Sequence, residues 1–277
     1  STRIHAKNLT KKFPERFNFS LEKFSNLKKI FNSNLKARGV IFDLGLSSFQ
    51  LADSKRGFSF KSKGFLNMEM GLNKYSAFEA VNNLEKKDLI NLIKILGEEK
   101  DAKAIANAIV RYREVKQIKT SDEFASIINK AKKRNGNYKK NPSTKTFQAI
   151  RIFINQELTE LVQGLIAATE VLEEGGVLII VSFHSLEDKI VKYFFKSLSE
   201  NKSISRYEPK VQQKKISFKM PLKKPIVPSD KELKENLPSR SAKLRYLIKQ
   251  ADDYEIESDI LNKFSELIEI ENLGLKL

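Results

Sequence analysis

The sequence lacks cysteine and tryptophan, and it holds only two histidines, His5 and His184. Without cysteine the chain cannot form disulfides, thiolate-bound zinc, iron–sulfur clusters or a thiol nucleophile. Two histidines also argue against a multi-histidine metal site. Lys, Glu or Asn interrupts every apolar run before it reaches the length of a membrane span, and the opening residues lack the apolar core of a signal peptide. These features predict a cytoplasmic protein.

Negative charge is scarce by comparison with positive charge. The sequence has 51 Lys and Arg residues against 34 Asp and Glu residues, for a formal net charge of +17. Such an excess favours a polyanionic partner, above all nucleic acid, although it can also serve solubility alone. Two basic segments, Lys132–Lys140 and Lys210–Lys224, each include an aromatic residue that could stack on an unpaired base. The residues predicted to contact RNA are Lys132, Lys133, Arg134, Lys139, Lys140, Lys214 and Lys215.

Short apolar runs and one long helical stripe indicate an α/β fold. Val40–Phe42 and Val177–Val181 are apolar on both faces, which is typical of strands in a parallel sheet covered by helices. From Phe147 to Leu172 an apolar residue recurs every three or four positions, which predicts a single long helix. A helix followed by a buried strand is characteristic of α/β proteins.

Weaker patterns predict the remaining elements of the fold. Residues 3–12 predict a helix that stops before Pro14, and the alternation in 17–21 predicts a strand. Residues 241–249 predict a closing strand, and 255–271 predict a C-terminal helix.

Residues 76–134 show helical periodicity only. Ser76 with Glu79 and Thr120 with Glu123 both fit the capping box that begins a helix. We therefore predict a small helical unit inserted between two α/β segments. The expected domains are an α/β domain formed by 1–72 and 142–277, and a helical insert formed by 73–141.

Polar residues follow both predicted parallel strands, at the edge where open α/β sheets bind ligands. Asp43 follows Val40–Phe42 and precedes small residues that let the backbone approach a ligand, although it could also simply cap the next turn. The second strand leads into Ser182–Asp188, where Ser185 and Asp188 fit a helix N-cap box.

The role of His184 stays open on spacing alone, because it could be a base, a hydrogen-bond donor or a buried structural residue. A hydrolase triad with Ser182 is not predicted, since no Gly-x-Ser-x-Gly elbow is present. The sequence also has no Gly-x-Gly-x-x-Gly and no P-loop, so these residues do not by themselves establish a nucleotide site.

Five motifs occur in the order known from one protein family: DLGLSSFQLAD at 43–53, RGFSF at 56–60, NPSTKTFQAIRI at 141–152, SFHSLED at 182–188 and SRSAKLR at 239–245. Together they resemble the MraW/RsmH family, the bacterial small-subunit rRNA cytosine-N4 methyltransferases. The resemblance covers essentially the whole chain. It implies a Rossmann-like class I methyltransferase fold with an inserted all-helical domain for substrate recognition.

The resemblance also implies S-adenosylmethionine as cofactor and a cytidine in the decoding region of small-subunit rRNA, or of a ribosomal particle, as substrate. By its match to the family's cofactor contacts, Phe24 is expected to form an apolar surface against the adenine. Asp43 and Gln50 are expected to lie near the sulfonium. Asp43, Ser182 and His184 are the catalytic candidates, because acceptors near the cytosine amine would stabilise its developing positive charge.

The sequence departs from the family pattern in four places, two of which are Phe49 where the family has Pro and NPST at 141–144 where the family has HPAT. The family's LDMRM is LNMEM at 66–70, and the family's Gly-rich loop has no counterpart, since the sequence starts where the next acidic motif would end. We therefore expect a fold that is incomplete at its N-terminus, with Val40–Phe42 paired only with Val177–Val181 and Phe17–Leu21 displaced. The alternative function is that of a non-catalytic RNA-binding or ribosome-assembly protein derived from such an enzyme.

Overall fold

A computed structural model describes residues 2–31, 35–71, 75–132, 141–200, 216–252 and 259–276. Its sheet has the strand order β1-β2-β4-β3, in which β1 is parallel to β2 and β4 is antiparallel to both of its neighbours. The strands are β1 (Ala37–Asp43), β2 (Leu172–Ser182), β3 (Phe218–Lys219) and β4 (Lys243–Lys249).

Helices surround this sheet, and among the described residues none is long and apolar enough to cross a membrane. The helices are α1 (Thr2–Lys12), α2 (Leu27–Ile30), α3 (Ser48–Ala52), α4 (Ala77–Asn83), α5 (Lys86–Ile95), α6 (Ala102–Arg113), α7 (Ser121–Ala131), α8 (Thr144–Asn155), α9 (Glu157–Val171), α10 (Ser185–Ser199), α11 (Asp230–Glu235), α12 (Asp259–Lys263) and α13 (Ser265–Asn272).

The two strands predicted from continuous apolar runs are confirmed as the parallel pair β1 and β2. Phe42 lies beside Ile180 and Asp43 beside Val181, so both strands end at the same edge of the sheet. In the described part of the chain the other edge of β1 pairs with no strand, and Ile41 is 68% exposed. The expected pairing of Val40–Phe42 with the β2 side alone therefore holds for these residues.

The predicted strand at 17–21 is wrong. These residues form no strand, and Phe19 and Leu21 remain exposed. Alternation supplies an apolar face, but a strand also needs to exchange backbone hydrogen bonds with a neighbour, and residues 17–21 do not pair with the open edge of β1. The predictions of a helix before Pro14 and of a closing strand near 241–249 are confirmed by α1 and β4.

The long helix predicted from 147 to 172 is two helices, α8 and α9. Gln156 separates them in the left-handed conformation, with φ of 50°. The side chain of Asn155 donates to Met68 O at 3.0 Å and accepts from Met70 N at 2.8 Å, so the 66–70 segment is tied to this break. Periodicity missed the break because the apolar positions stay in phase across it.

Residues 76–134 are helical as predicted, in α4 to α7. Ser76 and Glu79 form the expected capping box, and Thr120 accepts from Glu123 N. Helices α4 and α5 also pack against α8, and their buried residues belong to the core that contains β1 and β2. A separate helical domain over 73–141 therefore stays a prediction.

The predicted C-terminal helix is a pair of short helices, α12 and α13, and residues 253–258 lie outside the described ranges. Ile260, Phe264 and Ile270 are buried. Tyr193 of α10 anchors α12 by donating to Asp259 Oδ2 at 2.7 Å, and its ring packs edge-on against Phe264.

Glu271 of α13 is the most deeply buried acid of this segment, with no exposed surface. Its carboxyl group accepts from Leu158 N at 2.9 Å and from Thr159 N at 2.8 Å, and also from the Thr159 hydroxyl. Burial raises the pKa of Glu271 to about 8, although the hydrogen bonds lower it in part and the charge of Glu157 raises it further.

The free energy of unfolding should therefore fall as pH rises from 4.5, the ordinary pKa of a Glu carboxyl, to about 8. In this range the Glu271 carboxyl loses its proton in the unfolded chain but keeps it in the folded protein, so folding binds protons. The stabilisation that the Glu271 carboxyl contributes is complete below pH 4.5 and lost above about pH 8.

Urea melts at about pH 5, 7 and 9 measure this dependence in the wild type and in Glu271→Gln. The variant should depend less on pH across this range. Equal dependence in both proteins would contradict the assignment to Glu271.

Candidate active site

A cavity of about 400 Å³ opens beyond the carboxyl end of β1, at the sheet edge predicted to bind a ligand. Strand β1, the loop after it, the segment before α2 and the first turns of α9 and α10 build its walls. The lining residues are Glu22, Lys23, Phe24, Ile41, Phe42, Asp43, Leu44, Gly45, Met70, Asn155, Glu157, Glu160 and Glu187.

Phe24 forms an aromatic wall of the cavity, and its ring centroid lies 4.9 Å from that of Phe42. Glu160 of α9 holds this segment, because its carboxylate accepts from the backbone N–H and the hydroxyl of Ser25 and lies 3.3 Å from Lys23 Nζ. A Cβ atom at Gly164, one turn further along α9, would lie 2.4 Å from Phe24 Cδ2. Only glycine at this position lets the ring approach α9 this closely.

Replacing Gly164 with Ala should push the Phe24 ring out of its place and reshape the cavity. Because Gly164 lies within a helix, the substitution improves helix propensity by up to about 1 kcal/mol, but overpacking costs roughly 1–3 kcal/mol, so ligand affinities are compared at a temperature at which each protein is folded. Ligand titration and thermal melts of the variant measure both effects. Gly39→Ala is the matched control, since a Cβ there would meet nothing closer than 3.7 Å.

Gly164→Ala should therefore weaken ligand binding, while Gly39→Ala leaves it unchanged. Equal affinity in both variants would show that the position of Phe24 does not matter to the site.

Asp43 places an ionised acceptor at the end of β1. Its side chain is exposed, and in the described residues its carboxylate forms no hydrogen bond or ion pair. Glu157, Glu160 and Glu187 line the same end of the cavity, but Arg151 and Lys23 offset the charges of the first two, so the negative charge of this wall rests on Asp43 and Glu187. Such a wall suits a ligand that carries a positive charge.

Glu157 is held in the cavity wall by Arg151 of α8. The guanidinium donates through Nε and Nη2 to the two carboxylate oxygens, each at 2.8 Å. Burial lowers the pKa of Arg151, but the charge and hydrogen bonds of Glu157 outweigh that effect and raise it. The side chains are 18% and 10% exposed, so the pair is largely shielded from water.

His184 begins α10 and turns both ring nitrogens toward Glu187. Nδ1 accepts from Glu187 N at 3.4 Å, and Nε2 lies 3.2 Å from Glu187 Oε1. Glu187 Oε2 accepts in return from the backbone N–H of Phe183 and of His184. The N-cap predicted at Ser185 is therefore wrong by one residue, because the imidazole of His184 does the capping.

Burial of Glu187 raises the pKa of its carboxyl, but His184, the backbone donors and Arg151 together lower it below its usual range. Ligand atoms of Glu157, His184 and Glu187 lie within 4.8 Å of one another. This cluster does not favour a metal ion, because one of its carboxylates is already engaged in a bidentate pair. Arg151 already neutralises Glu157.

The structure brings two of the predicted site residues, Phe24 and Asp43, together at the cavity. Ser182 is buried and donates to Lys243 O at 3.3 Å, which ties β2 to β4 and leaves it outside the cavity lining. Gln50 belongs to the capping box of α3, where its Oε1 accepts from Ser47 N at 2.9 Å. The geometry of His184 favours the structural interpretation that its spacing left open.

Of the residues predicted to bind RNA, only Lys132 is described, and its prediction is not supported. Lys132 is 7% exposed, and its ammonium group donates to Glu99 and to Pro142 O. A buried lysine bound to a carboxylate does not present its charge to a phosphate. The other six residues lie outside the described ranges: Lys133, Arg134, Lys139, Lys140, Lys214 and Lys215.

Sequence reasoning missed the carboxylates that α9 supplies to the site. Glu157 and Glu160 lie three residues apart at the start of a helix whose buried positions, apart from Glu160 and Thr169, are apolar or glycine. Acidic residues within such an apolar stripe are the signal that could have indicated them, because charged residues are seldom buried without a partner. Their partners, Arg151 and Ser25, are distant in the sequence or lie across a helix break.

A parallel strand pair whose carboxyl ends open into an aromatic and acidic cavity defines an α/β protein that binds a small ligand at this edge. Its mixed α/β sheet and surrounding helices fit a methyltransferase fold. The chain belongs to the MraW methylase family, whose sequence model matches residues 2–250.

Curated relatives similar to this chain carry one name, ribosomal RNA small subunit methyltransferase H. The protein of Ehrlichia canis (strain Jake) is 42% identical over 251 residues, which cover 90% of this chain and 82% of the relative. That of Sulfurihydrogenibium sp. (strain YO3AOP1) is 43% identical and covers 87% and 78%. That of Wolbachia pipientis subsp. Culex pipiens (strain wPip) is 44% identical and covers 86% and 78%.

Proposed function

We propose that this protein transfers a methyl group from S-adenosylmethionine to N4 of a cytidine in the decoding region of small-subunit rRNA. The cavity beyond β1 carries the proposal, because it joins an aromatic wall at Phe24 to the free carboxylate of Asp43. Family membership and the names of the relatives supply the reaction and the substrate class. We place this activity in the cytoplasm, where small ribosomal subunits are made.

The residues of the cavity fit S-adenosylmethionine. Phe24 and Phe42 offer an apolar surface for an adenine ring, and the acidic wall complements a sulfonium. When bound, the cofactor supplies a methyl group on a positively charged sulfur. Asp43 and Phe24 would hold it.

Positioning is the main contribution that this chain can make to the chemistry. The exocyclic amine of cytosine is a poor nucleophile, because its lone pair is delocalised into the ring. Holding amine and methyl group in line contributes roughly 7–11 kcal/mol, once the base has been unstacked into the site. The Asp43 carboxylate accepts a hydrogen bond from the amine and stabilises its developing positive charge. His184, engaged with Glu187, shapes the loop after β2.

The RNA partner accounts for the excess of positive charge. Replacing the lysines and arginine of 133–140 and the lysines of 210–224 with Gln should weaken RNA binding and flatten its dependence on salt. Cofactor affinity should stay the same. RNA affinity measured at several salt concentrations gives this dependence. An unchanged dependence on salt would indicate that both segments are only solvated loops. Lys132 is left intact, because its charge stabilises the fold.

Titration calorimetry with S-adenosylmethionine tests the proposal at the cavity. We expect saturable binding at one site, with competition by S-adenosylhomocysteine. RNA binding without any cofactor binding would contradict the enzyme and favour the alternative of a non-catalytic RNA-binding or ribosome-assembly protein.

A further inference from the structure

The residue at the N-cap position of α9 does not cap the first turn of this helix. Gln156 occupies the N-cap position in the left-handed conformation, and its side chain accepts no hydrogen bond from the helix. The first amides of a helix have no partner within the helix, so an uncapped start frays unless another group accepts from them. This turn also bears Glu157 and Glu160, two carboxylates of the cavity.

Glu271 caps this turn from the C-terminal segment. It is fully buried, and its carboxyl group accepts from the backbone N–H groups of Leu158 and Thr159 at the start of the helix. Gln156 Nε2 adds a longer bond to Asn272 Oδ1 at 3.4 Å. Helix α13 lies beyond residues 2–250, which the family model matches, so this cap comes from outside the matched region.

We propose that Glu271 is a positioning residue for the cofactor cavity, acting through the first turn of α9. By fixing that turn, Glu271 keeps Glu157 paired with Arg151. It also keeps Glu160 hydrogen-bonded to Ser25, in the segment that carries Phe24. The inference rests on the proposed function only in naming S-adenosylmethionine as the ligand. The capping itself is a property of the fold.

The test uses the full chain with three substitutions. Glu271→Ala removes the cap. Glu269→Gln changes an exposed acid on the same helix and is the control for charge. Ile270→Ala loosens the packing of the helix but leaves the cap, and is the control for stability. All proteins are compared at a temperature at which urea melts show each of them to be folded.

Calorimetry should show that Glu271→Ala weakens S-adenosylmethionine binding by about tenfold, the size of a lost helix cap. The two controls should stay within about twofold of the wild type. Glu271→Gln, which keeps an acceptor oxygen, should recover part of the loss. Wild-type affinity in Glu271→Ala, or an equal loss in Ile270→Ala, would overturn the proposal.

Amide hydrogen exchange provides a readout that does not need the cofactor. In Glu271→Ala, protection should fall at Leu158 and Thr159 and also at Ser25, whose N–H reaches α9 through Glu160. A loss confined to Leu158 and Thr159 would overturn the positioning role. If the wild type bound no S-adenosylmethionine, the proposed function would fail, and exchange at Ser25 would still decide whether Glu271 positions the cavity.

Discussion

Replacing Asp43 with Asn lowers the rate of methyl transfer by about 10²–10³-fold, the cost of removing one charge-stabilising group from an active site. The substitution keeps the shape of the side chain but removes the negative charge at the end of β1. Because the Asp43 side chain is exposed and its carboxylate forms no hydrogen bond within the described residues, the folded structure does not depend on that carboxylate. The loss should therefore appear in turnover and not in thermal stability.

Asp53→Asn is the matched control for Asp43→Asn. Asp53 lies in the loop that follows α3, outside the cavity lining, and its Oδ1 accepts from Lys55 N, a bond that Asn can also accept. Its activity should equal that of the wild type. Single-turnover methylation of small-subunit rRNA measures both variants. Full activity of Asp43→Asn would remove this carboxylate from the mechanism.

Replacing Arg151 with Met lowers the free energy of unfolding by about 3 kcal/mol, because Glu157 is left as a largely buried charge without its partner. The same change releases Glu157 from the cavity wall. Arg38→Met is the control, since Arg38 pairs with Glu173 at the surface and its side chain is 93% exposed. An exposed pair of this kind contributes about 0–1 kcal/mol.

Urea melts of the two arginine variants measure this difference. The double variant Arg151→Met with Glu157→Leu should recover much of the lost stability, because removing both charges leaves no unpaired one. Equal stability of Arg151→Met and Arg38→Met would contradict the importance of the shielded pair.

The location of the site could be predicted from sequence because it depends on local patterns. Apolar runs at Val40–Phe42 and Val177–Val181 indicated a parallel pair, and parallel strands end at a common edge. That reasoning predicts Asp43 as a site residue directly, whereas Phe24 was predicted only from the resemblance to a family. Both lie at the cavity.

The remaining features depend on contacts between distant residues, which local patterns do not contain. The residues expected to form a strand at 17–21 do not pair with the open edge of β1, and the break at Gln156 left the apolar period undisturbed. The cap that Glu271 places on α9 joins residues more than a hundred positions apart. The orientation of His184 depends on Glu187, which looked like an ordinary helical residue in the sequence.

Methylation of a small-subunit rRNA cytidine at N4 by this chain can be measured directly. The most direct measurement is mass spectrometry of nucleosides from small ribosomal subunits, taken from cells that lack the protein and incubated with the purified chain and isotopically labelled S-adenosylmethionine. We expect labelled N4-methylcytidine, which disappears with Asp43→Asn and persists with Asp53→Asn. Recovered subunits that bind the chain but carry no labelled cytidine would contradict it.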